Sequence, residues 1–371
     1  MISMIPTLFN HHGFVNIEEF TPQIFQQVVF YSLWYEFIFS KIGGALNIVH
    51  VIILTRKSMR TSSINVIMTG IAICDLVCMM IIVRNGFIEM DTMEVCTRPR
   101  SLSEMRLDLF LTSVHNAFRR CSAWLGMLMA VVRYLVITDI TSKNNKFSSP
   151  RYGVKIILTA FFISFLFTLL FYLHIDIVQI DTWHIPLECQ KEEEDESFPI
   201  YSQQFNEFFE SNNAFLSRSR LILEGIFAKL IPCFTLPILT GLLLHGMRKS
   251  LTISSSTVEI SLANKNLRKS RKDRTTILTI FVAASFFISE FPLGIVDMYK
   301  GIWRGDMNYE TFSQNVVLLC DALFTINASI HCLIFFAMSY QYRRTVKNLI
   351  NSLNCFKIKK QARVNTILSS F

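Results

Sequence analysis

The sequence predicts an all-α membrane protein: a seven-transmembrane helix bundle with its N-terminus outside, its C-terminus inside and a short amphipathic helix after span seven. Three observations predict it. Seven apolar stretches each supply the ~20 residues that a helix needs to cross ~30 Å of hydrocarbon. The 371 residues are 51% hydrophobic and 17% charged, too apolar for a soluble domain of this length. Lys and Arg gather in alternate connections, the bias that keeps short basic loops on the cytoplasmic side.

Residues 1–28 hold Glu18 and Glu19 but no Lys or Arg, and read as an outside segment without a cleavable signal. The spans run over roughly 29–54, 63–84, 107–136, 153–175, 221–246, 275–299 and 314–338 and make one unit, 29–338. Short connections leave no room for a second globular domain. The inside connections carry Arg56, Lys57 and Arg60, then Lys143, Lys146 and Arg151, then a basic run that ends at Arg274. Residues 339–371 form an amphipathic helix and cytoplasmic tail. Val346, Leu349, Ile350 and Leu353 share one face against Arg343, Arg344 and Lys347, which suits a helix on the inner leaflet lipids. Cys355 at its end is a weak palmitoylation candidate. The net charge of +8 is mostly this inside skew, so no nucleic-acid partner is expected.

The long outside loop, 176–220, contains an acidic run from Glu192 to Glu196, which reads either as a solvated cluster or as a funnel for basic ligands. The inside loop, 247–274, is too polar to fold alone and reads as a linker or as a phosphorylatable partner surface. Of nine cysteines, Cys96 and Cys189 fall in outside loops, where the compartment is oxidising. A bond between them and two free thiols both fit.

Charged groups inside a bilayer cost ~2.5 to 3.5 kcal/mol each, so those that persist face the bundle and find partners. Asp75, Ser122 and Asn327 fall in one layer, ~17 to 18 Å above the inner ends of spans two, three and seven. With Asn47 they could form a hydrated network around a sodium ion, and a water-filled polar core without metal explains the same residues. Arg119 and Arg120 lie deep in span three and Glu290 at similar depth in span six. Adjacent helical residues point ~100° apart, so one arginine is expected to pair with Glu290, and Arg119 is favoured. Snorkelling, or capture of an acidic ligand group, is the alternative. Asp75 reads as the only strongly interior aspartate. Pro232, Pro237 and Pro292 can kink their helices, and Pro292 beside Glu290 and Phe291 reads as a hinge.

Asn47, Ile71-Ala-Ile-Cys-Asp75-Leu, Arg133-Tyr134, Pro232 and Pro292 resemble the motifs of the rhodopsin-like G-protein-coupled receptors. More narrowly, Arg60-Thr-Ser-Ser-Ile-Asn65-Val-Ile-Met, Phe118-Arg-Arg-Cys-Ser-Ala-Trp124-Leu, Lys229-Leu-Ile-Pro-Cys233, Ser289-Glu-Phe-Pro292 and Met338-Ser-Tyr-Gln-Tyr-Arg343 look like the nematode serpentine receptor class W chemoreceptors. That class is similar to FMRFamide and myosuppressin-type peptide receptors, and the resemblance spans roughly residues 30–356 in the order of its motifs.

The resemblance implies a multi-pass plasma-membrane receptor, not an enzyme. It would bind an extracellular FMRFamide-like peptide, or a small-molecule chemosensory cue, and activate a heterotrimeric G protein. It further implies that Asp75, Ser122 and Asn327 are the sodium-site set. His115, Asn116, Arg119, Glu290, Phe291 and Met298 are the candidate ligand contacts, between the outside ends of spans three, five, six and seven. Arg133, Tyr134, Pro292, His331 and Phe335 are the candidate coupling and switch residues. Two departures stand out. Val132 replaces the acid before Arg133, with Asp273 a candidate substitute, and the span-seven Asn-Pro-x-x-Tyr motif reads His331-Cys332-Leu-Ile-Phe335. The alternatives are weaker: a seven-helix channel or transporter should show an inverted repeat or paired broken helices, and an intramembrane enzyme should show a paired catalytic set.

Overall fold

The computed structural model describes residues 17–91, 96–138, 146–185, 197–255, 262–302 and 307–352. Along the chain these form α1 (Ile17–Leu54), α2 (Ser63–Asp91), α3 (Leu102–Thr138), α4 (Pro150–Leu173), a hairpin of β1 (Ile175–His184) and β2 (Ser197–Phe205), α5 (Glu207–Leu223), a π-helical stretch (Glu224–Leu230), α6 (Ile231–Ser255), α7 (Leu262–Ile302) and α8 (Met307–Met338). A last helix, α9, covers 340–352. Five helices among the described residues are long and apolar enough to cross a membrane, at Tyr31–Leu54, Ser63–Ile88, Pro150–Leu173, Ala214–Gly246 and Phe312–Ala337. The long helices α3 and α7 are not among those five; α3 carries Arg119 and Arg120, and α7 carries Glu290 and Asp297.

Neighbours in sequence pack as neighbours in space. α1 lies against α2 and α8, α2 against α3 and α4, α3 against α4 and α6, and α7 against α8 and α5. α4 shows how an apolar helix divides its surface in this bundle. Its buried face is small, made of Gly153, Ala160, Ser164 and Thr168, so that backbones approach closely. Leu158, Phe162 and Phe165 point away from the bundle, 64%, 64% and 61% exposed, which only an apolar solvent tolerates for a row of large side chains.

The inner ends are tied by specific bonds. Asn65 donates to the Met59 carbonyl at 2.8 Å, and Ser63 to the Phe147 carbonyl at 2.5 Å, which makes the Arg60-to-Met68 motif the corner between α1 and α2. Tyr342 of α9 is 1% exposed and its hydroxyl meets His50 Nδ1 of α1 at 2.9 Å. Val346 and Leu349 pack against the core as their face predicts, whereas Ile350 is 52% exposed. Leu353 and Cys355 lie outside the described residues.

The 176–220 loop is structured: β1 and β2 pair antiparallel from Ile175 with Phe205 to His184 with Ser197, and α5 starts at Glu207. The acidic run lies outside the described residues. Positive φ at Asn212 and Ala214 separates the outer end of α5 from the apolar span that begins at Ala214. The inside loop is largely helical, because α6 continues to Ser255 and α7 begins at Leu262; neighbouring turns extend cooperatively into polar sequence once a helix is nucleated in the apolar span. Pro237 and Pro292 sit inside continuous helices, while Pro232 follows the π stretch, a widened turn of the kind that absorbs a missing N–H donor.

The π stretch also brings α5 and α7 into backbone contact. A Cβ on Gly225 would lie 2.9 Å from the Gly294 carbonyl, whereas one on Gly44 would meet nothing within 4 Å. Gly225→Val should therefore lower stability by about 1–3 kcal/mol, while Gly44→Ala should be neutral or slightly stabilising, as melting temperatures of the purified variants would report.

Candidate functional site

α3 carries two adjacent arginines that point to different faces, and each organises its own cluster. Arg119 donates to Glu290 of α7 through Nε at 3.1 Å and Nη2 at 2.9 Å, and bonds Asp321 of α8 through Nη1. The expected Arg119–Glu290 pair therefore forms, with Asp321 as a third member. Arg120 turns toward α4 and α5. It donates to the Ser164 carbonyl at 3.0 Å, to Thr168 Oγ1 at 3.2 Å and to Glu224 at 2.6 Å. Arg220 holds the other oxygen of Glu224 at 2.8 Å.

Arg220 also donates through Nε to His174 Nδ1 at 3.0 Å, so this histidine is the neutral tautomer whose Nε2–H faces Ser217 at 2.9 Å. His174 stacks on Phe205 with ring centroids 4.8 Å apart, which fixes the hairpin to the outer end of the bundle. Lys229 pairs with Asp297 at 2.8 Å. Among the described residues four cations, Arg119, Arg120, Arg220 and Lys229, thus meet four carboxylates, Glu224, Glu290, Asp297 and Asp321. Asp75 is not the only interior aspartate, as the sequence had suggested. Asp321 was visible as a lone charge in an apolar span, and Glu224 as an acid four residues after Arg220.

The candidate ligand contacts disperse around this belt. His115 and Asn116 hydrogen-bond each other through their side chains, and His115 lines an outer cavity of about 210 Å³ together with Leu33, Glu36, Asn85, Thr112 and Asp321. That cavity opens between α1, α2, α3 and α8, which include spans three and seven of the set named from sequence. Phe291 stacks on Phe287 at 4.8 Å and meets Phe234 edge-on at 5.7 Å. Met298 packs beside Gly225. Cys96 is disulfide-bonded, and Cys189 lies outside the described residues.

Below the belt, Asp75 is fully buried and both its oxygens are engaged, Oδ1 by Ser122 at 2.7 Å and Oδ2 by His331 Nδ1 at 2.9 Å. Asn327 is turned to Ser285, whose hydroxyl donates to its Oδ1 at 2.8 Å. Asn47 donates to the Gly43 and Ala328 carbonyls at 3.0 and 3.2 Å. Each of these side chains thus has a protein partner, Asp75 in Ser122 and His331, and Asn327 in Ser285. An inner cavity of about 100 Å³ runs from Ser122, Asn327 and His331 down to Arg133 and Phe335. Arg133 makes no ion pair among the described residues, and the side chain of Asp273 lies outside them. Tyr134 neighbours Arg133 on α3 and is half-buried; Pro292 lies two residues beyond Glu290.

Residues 34–352 match the family model described as the serpentine type 7TM GPCR chemoreceptor Srw. The chain belongs to the Srw serpentine receptor family. As an Srw protein it is a multi-pass membrane protein of the G-protein-coupled receptor class, a receptor rather than an enzyme. It is also similar to the G-protein coupled receptor dmsr-1 of Caenorhabditis elegans, 22% identical over 339 residues that make up 81% of this chain and 64% of the relative. This Srw chain therefore spans under two thirds of that relative's length.

The Arg119 cluster is internally redundant, which ranks its variants. Glu290→Gln leaves the Arg119–Asp321 pair in place, whereas Arg119→Met leaves buried Glu290 and half-buried Asp321 without the cation they share. Removing one partner of a buried pair costs about 3–5 kcal/mol, so Arg119→Met should lose most of its folded, surface-expressed protein and Glu290→Gln much less, by flow cytometry of an N-terminally tagged receptor.

Outside the membrane, Glu104 accepts the Ser101 N–H at 2.8 Å at the start of α3, and these Ser101 bonds hold its carboxyl below the ordinary Glu range. A depressed folded-state pKa means that the cap's contribution is full above the unfolded pKa and is lost as pH falls through the folded one. Wild type should therefore lose a small stability advantage over Glu104→Gln on acidification below pH ~4.3, in melting temperatures recorded against pH.

Proposed function

We propose that this chain is a plasma-membrane receptor that crosses the bilayer seven times, N-terminus outside, and converts an extracellular FMRFamide-like peptide or chemosensory cue into activation of a heterotrimeric G protein. The observation that supports this best is vertical order within one bundle. An outer cavity is edged by the Arg119 cluster, a polar layer around Asp75 follows, and an inner cavity ends at Arg133. α7 runs the length of that column, tied at Glu290 and carrying Pro292 just beyond.

An agonist changes nothing unless it binds the two conformations differently. Ligand that alters the Arg119, Glu290 and Asp321 contacts biases α7 directly, because Glu290 is held by that cluster. Swinging the inner half of α7 outward widens the inner cavity and presents Arg133 and Tyr134 to the G protein. Basic residues then face the cytoplasm on the same side as Arg56, Arg60 and α9. A Cys96–Cys189 bond would tether the outer end of α3 to the hairpin loop, and the resemblance of the sequence motifs to FMRFamide and myosuppressin-type peptide receptors favours a peptide over a small-molecule cue. In the Asp75 layer Ser122 and His331 bond the two carboxylate oxygens, and no sodium-dependent step enters this reading.

The test is G-protein activation in cells expressing the chain, challenged with amidated peptides and with small-molecule cues. A ligand response that falls at least ~10-fold in Arg133→Ala at equal surface expression supports the reading. Activation that is unchanged in Arg133→Ala, or no response to any class despite surface expression, contradicts it.

A further inference from the structure

We propose that the outer cavity between α1, α2, α3 and α8 is a subsite for an organic cation, a guanidinium or an ammonium group carried by the activating ligand. The inference deepens the receptor reading above and rests on it for the word ligand.

The first argument is charge. Arg119 is one cation held between two carboxylates, Glu290 and Asp321, so the cluster carries a surplus negative charge. The surplus faces the cavity, because the Glu290 side chain is 3% exposed while that of Asp321 is 23% exposed, and Asp321 lines the cavity wall. Glu36 of α1 lines it from the other side. Acid in a low-dielectric recess favours a charge-assisted partner more strongly than the same acid in water.

The second argument is independent of charge count. His115 lines the same cavity and its side chain bonds Asn116, while its Nε2, shielded from solvent, has no hydrogen-bond partner among the described residues. Buried polar atoms of this kind are satisfied in native structures by a protein group, a water or a ligand. Of the nearby cations, Arg84 is committed to Asp108 at 2.7 Å, and Lys41 lies over the Phe37 ring at 3.6 Å. Phe37 gives the cavity an aromatic wall for an alkyl stem. At about 210 Å³ the space exceeds the ~30 Å³ share of one water several-fold and accommodates a guanidinium with its stem. On the opposite face of α3 the balance is reversed, since Arg120 and Arg220 share Glu224. A cation is therefore steered to the α1 and α8 side.

The experiment measures binding to purified full-length receptor in detergent, with no G protein present. Agmatine is compared with its neutral ureido isostere, and Arg-Phe-amide with citrulline-Phe-amide. Each cationic probe is expected to bind about tenfold or more tightly than its neutral partner, the scale of one charge-assisted contact. Asp321→Asn should remove the preference; because it also disturbs the Arg119 cluster, Glu36→Gln serves as the second variant and should reduce it several-fold. A preference confined to Arg-Phe-amide supports a peptide side chain as the source, and one confined to agmatine a free small cation. Equal affinity of charged and neutral probes, absence of binding by all four, or a preference unchanged in both variants overturns the proposal. Cation binding without G-protein activation would instead leave the subsite standing and remove the receptor reading.

Discussion

Two adjacent arginines in the middle of α3 impose the constraint from which the rest of the bundle follows. A guanidinium cannot lose its proton at any relevant pH, so each must find an anion at its own depth or prevent the helix from entering the bilayer. Arg119 finds Glu290 and Asp321, and Arg120 finds Glu224. Those partners come from α7, α8 and the stretch after α5, so the cost of four helices' interior charges is cancelled only when all are assembled. Ion pairs of this kind contribute little net stability over an apolar core, but they penalise any arrangement that separates them. The belt thus acts chiefly as a register device.

The same belt connects structure to signalling. Glu290 lies immediately before Phe291 and Pro292, where α7 loses one helical N–H donor and Phe287, Phe291 and Phe234 pack together. A perturbation at the Arg119 cluster reaches the inner cavity through one helix, without a long relay of side chains. His331, which stands where related receptors carry an asparagine, joins α8 to Asp75, and Tyr342 of α9 caps the column against His50. The span-seven motif has changed its letters while bonds between helices persist at the inner end.

Much of the fold was legible because bilayer thickness and loop charge act on local composition. The apolar spans and the helix at 340–352 follow from residues within one turn or one loop of each other. The Arg119–Glu290 pair was legible for a further reason: two opposite charges at equal depth in apolar helices leave few other solutions. Asp321 escaped because depth alone does not say which face of α8 it occupies, and Glu224 because the span was expected to start at about that residue and so to leave it at the surface. The hairpin and the α1-side cavity were not legible, since strand pairing across the outside loop and the shape of a recess depend on contacts far apart in sequence. The belief that ligand enters between spans three, five, six and seven came from resemblance rather than from these residues.

The central claim is that α3 crosses the membrane despite its two arginines because both are paired. Accessibility of single cysteines at its two ends tests this most directly. In a background without reactive native thiols, Ser101→Cys should react with an impermeant maleimide on intact cells, and Lys146→Cys only after permeabilisation. Labelling of both positions from the same side would mean that α3 does not cross, and the paired-arginine account would fail.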